Sequence, residues 1–271
     1  MIKDITIGQF FPGKSLVHKL DPRAKLVLTA VLLVMIFVCK NFLSLGIMCA
    51  FVLFSFLLTR LSPRVIFKSF KPLIPILVIT AVLQLYYNRS GEMIADYRFF
   101  KLSYGGIYTA VFIVIRILAL ILVSSLLTYT TSPTQLTDGI ERLLSPLRVF
   151  KIEVHTFAMM MTIALRFIPT LIDEIDRIMN AQKSRGADFE SGNIIERIKA
   201  LFPIFVPLFV SSFKRAFELA DAMSCRCYTG GEGRTRMKVM KIGLRDVASL
   251  AVCALVFAGV IVLNVSFPEV I

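Results

Sequence analysis

Charge is scarce in this sequence. Asp, Glu, Lys and Arg together make up 18% of its 271 residues, and 56% are hydrophobic. A soluble domain carries about 25% charge and 45–50% apolar residues, so an ordinary soluble globular enzyme is excluded. Disorder requires low hydrophobicity and is excluded too. Histidine is scarcer still, with His18 and His155 the only two. There is no G-x-S-x-G and no His grouped with Ser or Cys in a nucleophilic arrangement, so nucleophilic catalysis has no support. The five cysteines are Cys39, Cys49, Cys225, Cys227 and Cys253. A closed zinc site needs four ligands, and neither His is near Cys225-x-Cys227 in sequence, so no metal site is expected. No disulfide framework is implied either. Acidic residues number 18 against 31 basic ones, a net charge of +13.

Long apolar runs are what the sequence does have. A helix crossing the hydrocarbon needs about 20 mostly apolar residues. Residues 247–267 hold no charge over 21 positions, 41–59 none over 19 and 72–88 none over 17. Arg116 is the only charge between Leu102 and Tyr129. The run 26–39 is short, but Lys25 and Lys40 can snorkel at its ends. These runs predict five spans, at about 24–40, 42–59, 70–88, 106–129 and 246–267. The first two form a helical hairpin around Lys40-Asn41. A transmembrane barrel would show period-two alternation, and these runs are continuously apolar. The predicted class is therefore an all-α membrane protein. Residues 1–129 form an N-terminal region with four spans, 130–245 a cytoplasmic coupling domain of long amphipathic helices, and 246–271 a C-terminal span.

Basic residues set orientation. With the N-terminus in the cytoplasm, the short inner segments 1–25 and 60–71 hold nine Lys and Arg, against four in the outer connections. Residues 1–20 lack the apolar core of a cleavable signal, so the first span is expected to act as the insertion signal.

Residues 130–245 do not fit a simple channel. Segment 156–172 is apolar around one Arg, and 200–213 is uncharged but broken by Pro203 and Pro207. Neither spans comfortably, and both run on into polar stretches. Ile172, Ile175 and Met179 share one helix face, as do Phe213, Phe217 and Ala220. The pattern predicts two long helices of the same layout, apolar at the start and basic at the end. One ends at Lys183-Ser184-Arg185-Gly186, with Gly186 at the C′ position. The other ends at Ser224-Cys225-Arg226-Cys227. The arginines lie 41 residues apart, which suits one helix out, one back and another out. A lone Arg at a helix end offsets the dipole. Two such tips favour a docking surface, because the planar guanidinium can meet a carboxylate bidentately.

HKLDPRAKL at 18–26, SPLR at 145–148, ALRFIPTLIDEIDRIMNAQKSRGADF at 164–189 and AMSCRCYTGGEGRTR at 222–236 resemble the transmembrane T component of energy-coupling factor (ECF) transporters, the ATP-driven micronutrient importers of bacteria. The resemblance covers nearly the whole chain. It implies a multi-pass protein of the bacterial cell membrane that binds two ABC-type ATPase subunits and a substrate-binding S component. ATP would be held by the partners, and the chain would need no cofactor of its own. Ser184-Arg185-Gly186 and Cys225-Arg226-Cys227 match the family's usual Ala-Arg-Gly motifs, each of which docks in a groove of one ATPase. Cys227 stands where the family has Gly, which takes a positive φ at no steric cost. Met159, Met160, Met161, Phe202, Phe205 and Phe209 suit the contact with the S component, Met being adaptable to different partners. Packing within the protein or against lipid would explain the same residues.

Other motifs carry less. Gly8 to Ser15 fits the G-x-x-x-x-G-K-[ST] phosphate loop, but such a loop needs a strand before it and a helix N-terminus after it. Asp21-Pro22 and an apolar span follow at once, so nucleotide binding is not expected. Arg116, costly inside a bilayer, should face protein, carbonyls or water. A helix–helix hydrogen bond is preferred there to a gating contact. The basic residues Arg234, Arg236, Lys238, Lys241 and Arg245 read as an anchor for anionic lipid headgroups rather than a nucleic-acid patch. A self-contained secondary transporter would show internal repeats and midplane ionisable groups. A membrane-embedded enzyme would need convergent acids or His. Neither pattern is present.

Overall fold

The computed structural model describes residues 10–62, 64–65, 70–87, 93–97, 100–151, 153–187, 189, 193–230 and 242–267. Helix α1 spans Pro22–Val38. Asp21 caps it, its carboxylate accepting the Arg23 N–H at 2.9 Å. Pro22 sits at the first helical position, where a missing N–H costs nothing. Helix α2, Phe42–Thr59, follows through Cys39–Asn41. Ser44 Oγ starts it, donating to Asn41 O at 2.8 Å and accepting from the Asn41 N–H at 3.3 Å. The hairpin expected at Lys40-Asn41 is therefore present. A 3-10 turn, Lys71–Leu73, leads into α3, Ile74–Tyr87. Strands β1 (Met93–Tyr97) and β2 (Phe100–Ser103) pair antiparallel, with Asp96 opposite Lys101. Then come α4 (Tyr104–Thr130), α5 (Pro133–Leu143), a 3-10 turn (Ser145–Phe150), α6 (Val154–Ser184), α7 (Ile194–Cys225) and α8 (Leu244–Ser266).

The helical class expected from the sequence stands, with one short β-hairpin added. Each of its strands has four or five residues, too few for a periodicity to register in the sequence.

The chain divides into two compact units, one of residues 8–139 with 240–271, the other of 1–7 with 140–239. In the first, α1, α2, α4 and α8 share a core of Met35, Ile36, Leu45, Met48, Val52, Phe112, Val123 and Val260. Cys39 and Cys253 are buried within it, as small apolar residues. Cys49 packs against it. Asn264 clasps the α1–α2 connection, donating to Val38 O at 2.9 Å and accepting from the Lys40 N–H at 3.4 Å. Arg116 donates to Cys39 O at 2.7 Å and lies over the Phe112 ring at 4.6 Å. This is the helix–helix bond preferred above: the guanidinium satisfies a carbonyl at the open end of α1.

At the opposite end of these helices three termini meet. Asp246, at the start of α8, accepts the Asp21 N–H at 2.8 Å through one oxygen and the Gly243 N–H at 2.7 Å through the other. Lys25, buried, donates to Thr130 O at 2.9 Å and His18 O at 3.2 Å. The stretch His18–Leu26 is thus the joint where α1 starts, α4 ends and α8 starts. Before it, Phe10–Lys14 forms neither strand nor helix; Gly8 and Gln9, and the segment where a phosphate loop would need its strand, lie outside the described residues. Ser15 Oγ donates to His18 Nδ1 at 2.7 Å, and His18 Nε2–H donates to Phe11 O at 3.0 Å. Burial holds the His18 pKa below its ordinary value; the Phe11 carbonyl opposes that shift and the Lys25 charge adds to it.

Five of the described helices are long and apolar enough to cross a membrane: α2, α4, α6, residues 198–225 of α7, and α8. Of these, α2, α4 and α8 overlie the spans expected at 42–59, 106–129 and 246–267. The segments expected at 24–40 and 70–88 form α1, of 17 residues, and α3, of 14. In the second unit α6 has 31 residues and α7 has 32, roughly 46–48 Å each at 1.5 Å per residue. Pro169 lies inside α6, and Pro203 and Pro207 inside α7. The break read at Pro203 and Pro207 does not occur. Each proline removes one backbone donor, yet the helix runs on through both.

Candidate functional site

Helices α6 and α7 pack against each other. Glu174 of α6 holds the pair together, taking an ion pair from Arg215 of α7 at 2.5 Å and a hydrogen bond from Ser211. Both partners are partly buried, so this pair loses less to solvent than a surface bridge. Nothing in the local spacing of the sequence marks it; residues 174 and 215 lie on different helices.

Each helix ends on the expected arginine. Arg185 caps α6 with φ −90° and ψ 7°, and Arg226 caps α7 with φ −91° and ψ 14°. The next residue is left-handed in both: Gly186 at φ 87° and Cys227 at φ 54°. The hydrogen bonds match as well. At the first tip, Gly186 N–H donates to Lys183 O at 3.0 Å and Ala187 N–H to Gln182 O at 3.0 Å. At the second, Cys227 N–H donates to Ser224 O at 2.9 Å and Tyr228 N–H to Met223 O at 3.1 Å. This is the Schellman arrangement at both ends. It satisfies carbonyls that would otherwise be open and turns the chain away sharply. Cys227 adopts the positive φ that Gly takes freely.

Ser184, Arg185, Gly186, Cys225, Arg226 and Cys227 are all exposed. Among the described residues the guanidinium of neither Arg185 nor Arg226 makes a hydrogen bond or ion pair. Each tip therefore offers an uncommitted planar cation on a fixed backbone turn. Such a group can donate two parallel hydrogen bonds to a carboxylate. The one helix-sized segment described between the tips is α7. The expectation of a helix out, one back and another out is replaced by a single continuous helix, because the prolines do not end α7.

The other residues singled out lie along the same helices. Met160, Met161, Phe202, Phe205 and Phe209 are exposed, and Met159 is half-buried. Phe205 stacks on Phe209 at 6.0 Å, and Phe209 meets Phe213 at 4.7 Å. Phe213 and Phe217 continue the row and are exposed. Sequence reasoning placed Phe213 and Phe217 on one face but did not join them to Phe205 and Phe209. The four-residue spacing of these phenylalanines was the available signal. Ile172, Ile175 and Met179, the matching face of α6, are half-buried instead. Arg234, Arg236, Lys238 and Lys241 of the expected lipid anchor lie outside the described residues; Arg245 is exposed.

The CbiQ family model, described as a cobalt transport protein, matches residues 13–237. A protein of Ruminiclostridium cellulolyticum is 45% identical over 267 residues, 98% of this chain and 100% of its own. One from Clostridium kluyveri is 49% identical over 97% of this chain and 98% of its own. One from Bacillus subtilis is 44% identical over 96% and 98%. Each bears the name energy-coupling factor transporter transmembrane protein EcfT.

Proposed function

The chain belongs to the CbiQ family and is a transmembrane component of the energy-coupling factor type, and from that premise we propose that it couples ATP use by two ABC-type ATPase subunits to reorientation of a substrate-binding S component. Micronutrient import follows from that movement. The observation that carries the reading is the pair of tips, two exposed arginines on the same hydrogen-bonded turn. Each guanidinium enters a carboxylate-bearing groove on one ATPase. ATP binding draws the ATPases together and displaces the tips. Helices α6 and α7, tied by Glu174 and Arg215, carry the displacement along their length. Met159, Met160, Met161, Phe202, Phe205 and Phe209 face the S component, whose apolar surface slides on theirs. Flat aromatic and thioether surfaces suit sliding, since they lack directional bonds that must break. ATP and its chemistry stay on the ATPases, and this chain performs no reaction. The N-terminus is cytoplasmic, and the ATPases meet both tips from the cytosol.

Arg185→Ala combined with Arg226→Ala tests the reading. Truncating a buried, paired interface charge costs about 2–5 kcal/mol. The ATPases should then fail to co-purify and ATP-dependent uptake should stop. Arg→Lys at both positions should restore only part, because an ammonium lacks the bidentate fork. Wild-type uptake by the double alanine variant, or uptake in proteoliposomes by this chain alone, would sink the proposal.

A further inference from the structure

In the first unit the ends of α1, α2, α4 and α8 enclose an apolar groove of about 370 Å³. Leu32, Phe51, Phe54, Leu126 and Val252 line it. Lys25 and Arg245 line it too, and among the described residues no carboxylate does. Beside it lies a second, polar cavity of about 560 Å³, formed by Pro12–Leu16, His18 and the last turn of α2. Its charged lining is Lys14 and Arg60, again with no carboxylate among the described residues. Leu16 and Leu58 line both cavities, so the apolar groove and the basic cavity adjoin. Arg60 is held in place by the α2 terminus: it is left-handed, at φ 55°, and its N–H donates to Leu57 O at 3.1 Å.

We propose that these two cavities form one binding site for an anionic glycerophospholipid. An acyl chain lies in the groove, and the phosphodiester sits between Lys14 and Arg60. The division of chemistry matches the ligand: one elongated apolar volume joined to one cavity with cations and no acid. Each cavity is within the size of ordinary ligand pockets, roughly 300–1,000 Å³. The groove runs from the helix ends to Leu32 and Phe51, midway along α1 and α2, while the basic cavity sits at the last turn of α2, the level where headgroups lie. Lys25 keeps the deep end polar without occupying it, since two of its three donors are already bound to His18 O and Thr130 O. The segment Gly13-Lys14-Ser15, which lacks the fold of a nucleotide loop, thereby acquires an anion to bind. A zwitterionic lipid would bring a positive group among these cations and is disfavoured.

The test is native mass spectrometry of the whole transporter complex in detergent, titrated with phosphatidylglycerol or with phosphatidylcholine of the same acyl chains. Phosphatidylglycerol should bind at one site per copy of this chain, and phosphatidylcholine at least tenfold more weakly. Lys14→Gln with Arg60→Asn should weaken phosphatidylglycerol, at about fivefold per cation removed, and weaken phosphatidylcholine less, so that the preference between the two lipids shrinks. Both substitutions are mild: Lys14 is exposed, and Asn tolerates the left-handed backbone. Val252→Phe, at a residue 48% exposed, should fill the groove and weaken both lipids. Equal binding of the two lipids to the wild type would overturn the proposal, as would unaltered phosphatidylglycerol binding in the charge variant. Displacement of the lipid by millimolar inorganic phosphate, with Val252→Phe having no effect, would show a free-anion site and overturn it as well.

Discussion

Position 227 holds a Cys in a backbone conformation that L-residues enter at a cost of about 1–2 kcal/mol; its φ is 54°. Position 186 has Gly at φ 87°, with nothing within 4 Å of where a Cβ would stand. The two tips therefore share a shape at different local stabilities. Cys227→Gly should tighten the second tip, and Gly186→Ala should loosen the first, each by about 1 kcal/mol. Amide hydrogen exchange at Tyr228 and Ala187 reads this directly, as roughly fivefold slower exchange in the first variant and fivefold faster in the second. Unchanged exchange in both would show that the backbone angle does not govern the turn. At this scale the sequence was informative. A Gly after a basic residue at a helix end is readable, and so is the strain of a Cys in its place. The Glu174–Arg215 pair was not readable, because its partners are 41 positions apart and meet only through helix packing.

Asp246 joins two elements by serving both. One carboxylate oxygen takes the amide ahead of α1 and the other the amide ahead of α8, and the residue is 4% exposed. Removing it leaves the buried Asp21 N–H without an acceptor, at about 1–3 kcal/mol, and frees the more exposed Gly243 N–H to water. Asp246→Ala should lower the melting temperature of the detergent-solubilised protein, and Asp246→Asn should lower it less, because one carbonyl acceptor remains. Equal melting temperatures for all three would refute the joint. The apolar runs announced three of the five membrane-length helices, α2, α4 and α8, whereas α6 and α7, read as too short to span, are also long and apolar enough to cross. The extent of α6 and α7 was less legible. Internal prolines usually end a helix, yet α7 contains two and continues through both.

For the whole molecule the native cysteines report orientation. Cys225 and Cys227 are exposed beside one tip, whereas Cys39 and Cys253 are buried in the helix core. With a cytoplasmic N-terminus, a membrane-impermeant maleimide should label Cys225 and Cys227 in inside-out vesicles and not in intact cells. Bound ATPases should protect both thiols, since Arg226 lies between them. Labelling from the outside of intact cells would reverse the orientation.

Hydrophobic length and the positions of charge are local properties. They are written in consecutive residues, so the sequence by itself determined a helical membrane protein, most of its spans and two arginine-ended helices. Distance between residues remote in sequence is not local. Only the tertiary structure could decide that Asp246 meets Asp21, that Arg116 meets the end of α1, and that an apolar groove adjoins a cavity lined by Lys14 and Arg60. Those contacts depend on which helix faces pack together, and packing is chosen by the summed burial of all the helices at once.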